Sequence, residues 1–537
     1  MSSHTCSARS LAWLVARGPW QEKNEKAGLI ITAGVAMVVL LLCSSGNAGA
    51  QAPVGAQARP RNAPVLLPVP ADPTVSFRIA FTVGSQDDPV GKEGLAYLTG
   101  TLLAEGATAT HAYAEILKLL FPMAAEYNVR VDKEVTTFSG RVHKDSLDAY
   151  ATLLLDAVMQ PAFAEADFVR IKQRTIDYLA KTLRYTSDEE LGKAALYNAV
   201  FAGTPYGHFN AGTVEGLKAI TLDDVRAFYR AHFTRDTTVL ALGGGYDDKL
   251  VERMQRSFAQ LPAAKPAAVP APQVKAIAGR QVVLVKKPGP ATAISFGFPL
   301  PLQRGSREFY ALWIANSWLG EHRNSASHLY QVIREARGMN YGDYSYIEIF
   351  SEGGRHEFPP TGVPRRAQLF EVWVRPVPNA QAQFALRAAI REVEKLAAGG
   401  LSEEQFKLTR DFVTKYSLHF AETTFDRLGY ALDDRFYGVG APGDLAGFRD
   451  IVPTLTRDEV NAAIRKYIKP TAMVIAIVSE DADKLAEALA SDAPSPITYA
   501  TPKPPEVLEE DKAIQAYPLH IAKDAIRIVP VEQVFAK

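Results

Sequence analysis

Residues 221–242 read TLDDVRAFYRAHFTRDTTVLAL, and residues 456–477 read TRDEVNAAIRKYIKPTAMVIAI. Aligned without gaps, Thr221 falls on Thr456, Val225 on Val460, Tyr229 on Ile464 and Phe233 on Ile468, each pair 235 positions apart. The strand-like runs at 239–242 and 474–477 keep that offset. Each copy opens with Thr and an acidic residue three positions on, a pairing that satisfies the first free N–H groups of a helix. A second pair, FAEADF at 163–168 and LSEEQF at 401–406, lies 238 positions apart. One match is weak; two at nearly one offset indicate internal duplication of an α+β unit of about 200 residues. The fold class expected is therefore α+β in two duplicated halves. Each half is a mainly antiparallel sheet with helices packed on it, and the halves face each other across a cleft that is the natural binding site.

The rest of the chain fits around this repeat. Its 537 residues are too many for one hydrophobic core. It is 47% apolar and 22% charged, a globular and not a disordered composition. Lys+Arg and Asp+Glu both number 59, so no basic field favours nucleic acid, and a neutral surface suits association with a partner. Residues 74–261 read as the N-terminal half and 281–490 as the C-terminal half. Between them, 262–280 is a Pro/Ala linker opening with PAAKPAAVPAP, where four Pro exclude helix and sheet interior. Residues 51–73 read as an Ala/Pro/Gln-rich linker and 491–537 as a Pro-rich tail. Val75, Phe77, Ile79, Phe81 and Val83 alternate with mostly polar residues, the period of a half-buried strand.

Residues 1–50 read as a signal peptide or N-terminal anchor. Arg9, Arg17, Lys23 and Lys26 precede an uncharged apolar run at 27–42, and small residues follow to Ala50. That order is the one a secretory signal has, and the run is shorter than the ~20 residues of a comfortable membrane span. The expectation is an exported protein, periplasmic or secreted, touching a membrane only if the leader is retained. Cys6 and Cys43 are the two cysteines and both lie in this leader, so no disulfide scaffold or Cys-based zinc ribbon is expected.

Several segments resemble the insulinase/pitrilysin family of zinc peptidases: GLAYLTGTLLAEG at 94–106, FAGTPYG at 201–207 with Gly212 and Thr213, ITLDDV at 220–225 and HFT at 232–234. The resemblance spans about residues 75–480. It implies an H-x-x-E-H metal motif on the first helix, where two imidazoles at i and i+4 hold zinc and the Glu activates bound water. Here the matching positions are Tyr97, Gly100 and Thr101. Tyr is a poor imidazole substitute, Gly has no side chain to act as base, and Thr offers a weak neutral oxygen. The third ligand, a Glu, is expected between Lys172 and Lys181; ungapped alignment places Ala180 there, with Asp177 nearby. No catalytic zinc is expected in this chain. Its ten His are scattered (His322 and His328 cluster with Glu321) and read as exposed loop and helix-start residues.

The C-terminal half keeps SHLYQVIREARGMNY at 327–341, which resembles the family's helix-then-strand segment. Leu329, Val332, Ile333 and Ala336 form its buried face and Gly338 is a natural C-cap. In the family an Arg and a Tyr seven residues on reach the zinc-bound substrate; Arg334 and Tyr341 hold that spacing, with Arg337 a competitor for the Arg role. Guanidinium and phenol both donate hydrogen bonds and can steady a peptide carbonyl or its oxyanion. The bland alternative is an Arg satisfying helix carbonyls and a Tyr packed at a strand start. Two-chain members divide the motif and the Arg/Tyr pair between subunits. The resemblance thus implies a non-catalytic, substrate-binding subunit whose homologous partner carries zinc, acting on peptides or unfolded protein. The alternatives are a degenerate peptidase serving as scaffold or peptide-binding protein, and an active metallopeptidase with an unusual site. The loop at 351–366 reads equally as a cleft edge or a solvent-exposed hairpin loop.

Overall fold

The computed structural model describes residues 63–264, 266–350 and 359–537. The leader, both cysteines and residues 351–358 of the Gly/Pro-rich loop lie outside the described residues. Among those described, no helix is long and apolar enough to cross a membrane.

Among the described residues, eleven strands form two sheets. The first half contributes β1 (Val65–Pro68), β2 (Thr74–Phe81), β3 (Glu126–Val131), β4 (Thr136–His143) and β5 (Thr238–Gly244). The second contributes β6 (Arg280–Lys286), β7 (Ala291–Leu300), β8 (Asp343–Tyr346), β9 (Gln368–Pro378), β10 (Met473–Ser479) and, near the C-terminus, β11 (Ile526–Pro530). The sheet orders are β1-β5-β2-β4-β3 and β11-β6-β10-β7-β9-β8. Without β11 the second order is the first repeated element for element. Even the one parallel pair recurs, β1 with β5 and β6 with β10. The two capping boxes read from sequence are made: Thr221 with Asp224 opens Leu222–His232, and Thr456 with Glu459 opens Arg457–Tyr467; a further box, Ser402 with Gln405, opens Glu403–Tyr416.

The halves are not merely adjacent. Helix Asp188–Val200, capped by Ser187, leaves the first half and packs on β7, β9 and β10 of the second. Helix Thr424–Tyr437, capped by Thr423, returns from the second half to β1, β2 and β5. This exchange corrects the half-buried reading of β2. Phe77 and Ile79 face the first half's core, while Ala80, on the other face, packs with Leu428 and Leu432 of the exchanged helix. Both faces are therefore covered.

Two boundaries also differ from the sequence reading. Residues 65–68, taken as the end of a linker, form β1, whose backbone groups find partners only on β5, far away in sequence. The tail at 491–537 contains helix Pro505–Gln515 and β11, which extends the second sheet alongside β6. Its last residues then reach the first half: Arg184 donates to Val534 O, and the N–H groups of Val214 and Glu215 donate to Phe535 O and Ala536 O at 2.9 and 3.0 Å.

Candidate functional site

Helix Leu95–Glu105 carries the positions of the degenerate motif. Tyr97, Thr101 and Glu105 fall four residues apart on one stripe. Arg174, from helix Glu165–Asp177, spans this stripe: its Nη1 pairs with Glu105 Oε2 at 2.6 Å and its charge is within reach of the Tyr97 phenol. Thr101, between them, is buried. Gly100 is pressed against edge strand β3. A Cβ there would lie 2.7 Å from Val131 Cγ2 and 3.3 Å from Thr136 Cγ2, so a catalytic Glu has no room. Ala180 lies in the π-helical turn Tyr178–Leu183, and Asp177 pairs with Lys181 at 2.9 Å. One phenol, one hydroxyl and a neighbouring guanidinium do not fit a divalent cation. Among the described residues no group of three or more His, Cys, Asp or Glu is arranged to hold one.

Arg334 and Tyr341 flank the approach to β8, the edge strand of the second sheet. Arg334 sits in the π-helical turn Tyr330–Glu335, with its guanidinium 4.5 Å from the Tyr330 ring centroid and 3.7 Å from Glu335 Oε1. Tyr341 is 78% exposed, not packed at the strand start. Its exposure is built by its neighbours. Gly338 (φ +69) ends the helix, and its N–H donates to Arg334 O at 2.6 Å. Asn340 Nδ2 donates to Asp343 Oδ1 at 2.8 Å and to Arg375 O at 3.0 Å, and its Oδ1 accepts from Gly342 N at 3.1 Å. At Gly342 any Cβ would collide with the Tyr344 hydroxyl, so the chain can swing outward only with glycine there. Arg334 and Tyr341 thus share one braced segment, one held along an aromatic ring and the other in solvent. Arg337 does not compete. It is buried, donating to Asp511 Oδ1 at 2.8 Å, Glu510 Oε2 at 3.0 Å and Val332 O at 2.6 Å.

Sequence reasoning missed what lies behind this segment. His322, read as an exposed loop or helix-start residue, is buried, as is Glu321 beside it. His322 Nδ1 contacts the Tyr346 hydroxyl at 2.5 Å, and its ring lies against Tyr344 and Phe350 at 4.7 and 4.8 Å. Burial lowers His322 to about 3 and raises Glu321 and Glu371 to about 7. At neutral pH the imidazole is uncharged. Burial likewise pushes the Asp343 carboxyl well above its ordinary value, although Asn340 and the Arg375 and Arg334 charges pull it down. Trp373 completes the cluster under the Lys193 ammonium of the exchanged helix, 3.5 Å from its ring centroid. The signal was present as alternation: Tyr344, Tyr346 and, on β9, Trp373 are spaced to share one face. His328 is also structural, bonded to Glu392 at 2.6 Å and stacked on Trp318.

The family model described as Insulinase (Peptidase family M16) matches residues 65–213, and that described as Peptidase M16 inactive domain matches residues 219–412. The chain belongs to the insulinase (M16) peptidase family. Among known proteins, an uncharacterized zinc protease of Streptomyces coelicolor is 26% identical over 63% of this chain and 70% of its own length. The uncharacterized zinc protease YmxG of Bacillus subtilis is 22% identical over 57% of this chain and 73% of its own. Among solved structures, a peptidase M16 inactive domain from Pseudomonas fluorescens superposes with a TM-score of 0.67 at 21% identity, covering 78% of this chain and 95% of that one. A protease from Helicobacter pylori gives 0.66 at 17%, covering 77% and 96%. These likenesses show the two-domain M16 fold. Within that fold this chain is an inactive-type peptidase homologue.

Proposed function

We propose that this chain is the non-catalytic, substrate-binding subunit of an exported insulinase-type metallopeptidase. A homologous partner would hold the zinc, its ligands and the general base. The observation that carries this reading is the contrast between the motif helix of the first half and the segment leading into β8 of the second. The motif helix is closed by Val131 at Gly100 and neutralised by Arg174, while Tyr341 is held 78% exposed beside Arg334. In the assembled pair, Tyr341 and Arg334 donate hydrogen bonds to the carbonyl of a peptide in the partner's site and to the oxyanion formed from it. The leader sequence supports export. The substrate class is peptide or unfolded protein, bound extended along a strand edge.

The test is purification of the chain with whatever copurifies from its native host, followed by metal analysis and peptide cleavage by each component and by the pair. The pair should cleave, with zinc in the partner. Tyr341→Phe and Arg334→Ala should each lower turnover by about 10- to 100-fold without impairing assembly. Stoichiometric zinc and activity in this chain alone would overturn the proposal. The scaffold alternative has one observation in its favour, that Arg334 already engages Tyr330 and Glu335; unchanged turnover in both variants would select it.

A further inference from the structure

We propose that the cavity between the two halves is a carboxylate-binding subsite built around Arg78. The cavity measures about 560 Å3 and is walled by β2, β3 and β4 on one side and by residues 359–362 and the start of helix Thr424–Tyr437 on the other. That volume is within the ~300–1,000 Å3 typical of ligand clefts. Strand register sets the chemistry of its floor. Pairing of β2, β4 and β3 aligns Arg78, Ser139 and Asn128 in one row across the sheet, and Ala80, Thr137 and Arg130 in the next. The two arginines therefore rise from strands about 10 Å apart, with the Thr137 and Ser139 hydroxyls between them.

Arg78 is the unusual member. It is 6% exposed, its guanidinium lies 4.1 Å from the Phe425 ring centroid, and its Nη2 donates to Phe425 O at 3.3 Å. Its Nε has no acceptor, nor does the buried Thr137 Oγ1 have a partner. The acidic groups near it are committed elsewhere. Asp426 accepts from the Thr423 N–H and hydroxyl as a helix cap, Glu422 pairs with His419, and Asp433 accepts from Gly362 N and Arg304. A buried cation without a contacting counter-charge, beside an unsatisfied hydroxyl, is an arrangement completed by an anion. A carboxylate fits: one planar group can accept from a guanidinium edge and a hydroxyl together. Its source is either the free C-terminus of a peptide or an Asp or Glu side chain within one. For the peptide, though not for the anion site itself, this inference rests on the peptide-binding reading above.

The experiment uses the full chain and three fluorescent ten-residue peptides of one neutral sequence: a free acid, its C-terminal amide, and the amide with one central Glu. Binding is followed by anisotropy. The free acid, the Glu peptide or both should bind at least ~10-fold more tightly than the neutral amide. Arg78→Gln and Thr137→Val, each checked for folding by circular dichroism, should remove that advantage and leave neutral-amide binding unchanged. Which peptide gains identifies the source. Equal affinity for all three peptides, or an advantage that survives Arg78→Gln, would overturn the site. If no peptide binds, the peptide-binding reading fails, and succinate tests the site alone. A succinate-induced rise in melting temperature that is lost in Arg78→Gln retains it; the absence of such a rise overturns it.

Discussion

Replacing Gly100 by Ala adds one methyl group to helix Leu95–Glu105, and the sign of its effect separates a sealed helix face from an open one. In an unobstructed helix interior the change stabilises by ~0.5–1 kcal/mol, because Gly loses more backbone freedom on folding. Here the new Cβ falls 2.7 Å from Val131 Cγ2 and 3.3 Å from Thr136 Cγ2. Both are inside the ~3.5–4.0 Å of favourable carbon contact. Relieving them means shifting β3 against the helix, an overpacking cost of ~1–3 kcal/mol. The net expectation is destabilisation by about 1 kcal/mol, read by urea denaturation at constant pH. Removing the obstruction should reverse the sign: in a Val131→Ala background, Gly100→Ala should be neutral or stabilising, a coupling of ~1 kcal/mol or more. The triple change Tyr97→His, Gly100→Glu, Thr101→His restores the motif on paper. It should take up no stoichiometric zinc, because the carboxylate meets valines and the cation meets Arg174. Stabilisation by Gly100→Ala in the wild type, or one zinc per chain in the triple variant, would refute the argument that this helix is closed to catalysis.

Three further outcomes follow from buried charge and from the C-terminus. Glu321 ionises near 4.3 when unfolded but near 7 in the folded chain because of burial, so its penalty is absent below pH ~4.3, grows as pH rises and levels off above 7. Glu321→Gln should therefore leave stability unchanged at pH 4 and raise it by at most about 4 kcal/mol at pH 8, measured by denaturation at both pH values. Asp132, buried between the halves, accepts from Arg365 Nε at 2.9 Å. Burial pushes its carboxyl up, but the Arg365 and Arg130 charges and the hydrogen bonds from Arg365 and the Lys133 N–H together outweigh this and hold it below the ordinary value, so their contribution is present above pH ~4 and is lost as pH falls through the lower folded value. Asp132→Asn should cost about 3–5 kcal/mol at pH 7 in the same assay, because Arg365 is left buried without its counter-charge. Truncation after Pro530 removes the acceptors of Arg184, Val214 and Glu215, and should speed amide exchange in helix Val214–Ala219 while leaving β6 and β10 protected.

What the sequence disclosed, and what it hid, divides by distance along the chain. The capping boxes at Thr221 and Thr456 were legible because a cap is made by residues three positions apart. The duplication was legible because both copies retained those caps. By contrast, β2 reads as half-buried because its second cover, Leu428 and Leu432, arrives from the other half. β1 is a Pro-flanked four-residue run whose ladder partner is β5, and the Pro-rich composition of the tail conceals a strand that needs β6 to exist. His322 looked exposed since nothing local indicates that Tyr344, Tyr346 and Phe350 will enclose it. At the site, the residue types missing at Tyr97, Gly100 and Thr101 were visible directly. The obstruction at Gly100 was not, because it comes from a strand about thirty positions away.

The duplicated topology also shows how one half can be closed at its edge while the other presents a side chain to solvent. Both halves contain the same slot, a helix pressed on the sheet's edge strand through a glycine: Gly100 against Val131 of β3, and Gly320 against Ser345 of β8. In the first half the slot at Gly100 is filled by hydrocarbon, and the helix end beyond it is bridged by the Arg174–Glu105 pair. In the second half the chain leading into the edge strand is deflected outward by Gly338, Asn340 and Gly342, and Tyr341 stands clear of the sheet. Neither arrangement follows from the topology, which is shared. Each follows from a few side chains that decide whether the edge is packed or presented. A substitution that repacks Tyr341, such as Gly342→Ala with its Cβ forced into Tyr344, should therefore reduce turnover of an assembled pair as strongly as Tyr341→Phe while leaving the first half's stability untouched. Full turnover in Gly342→Ala would show that presentation of Tyr341 does not matter to the reaction.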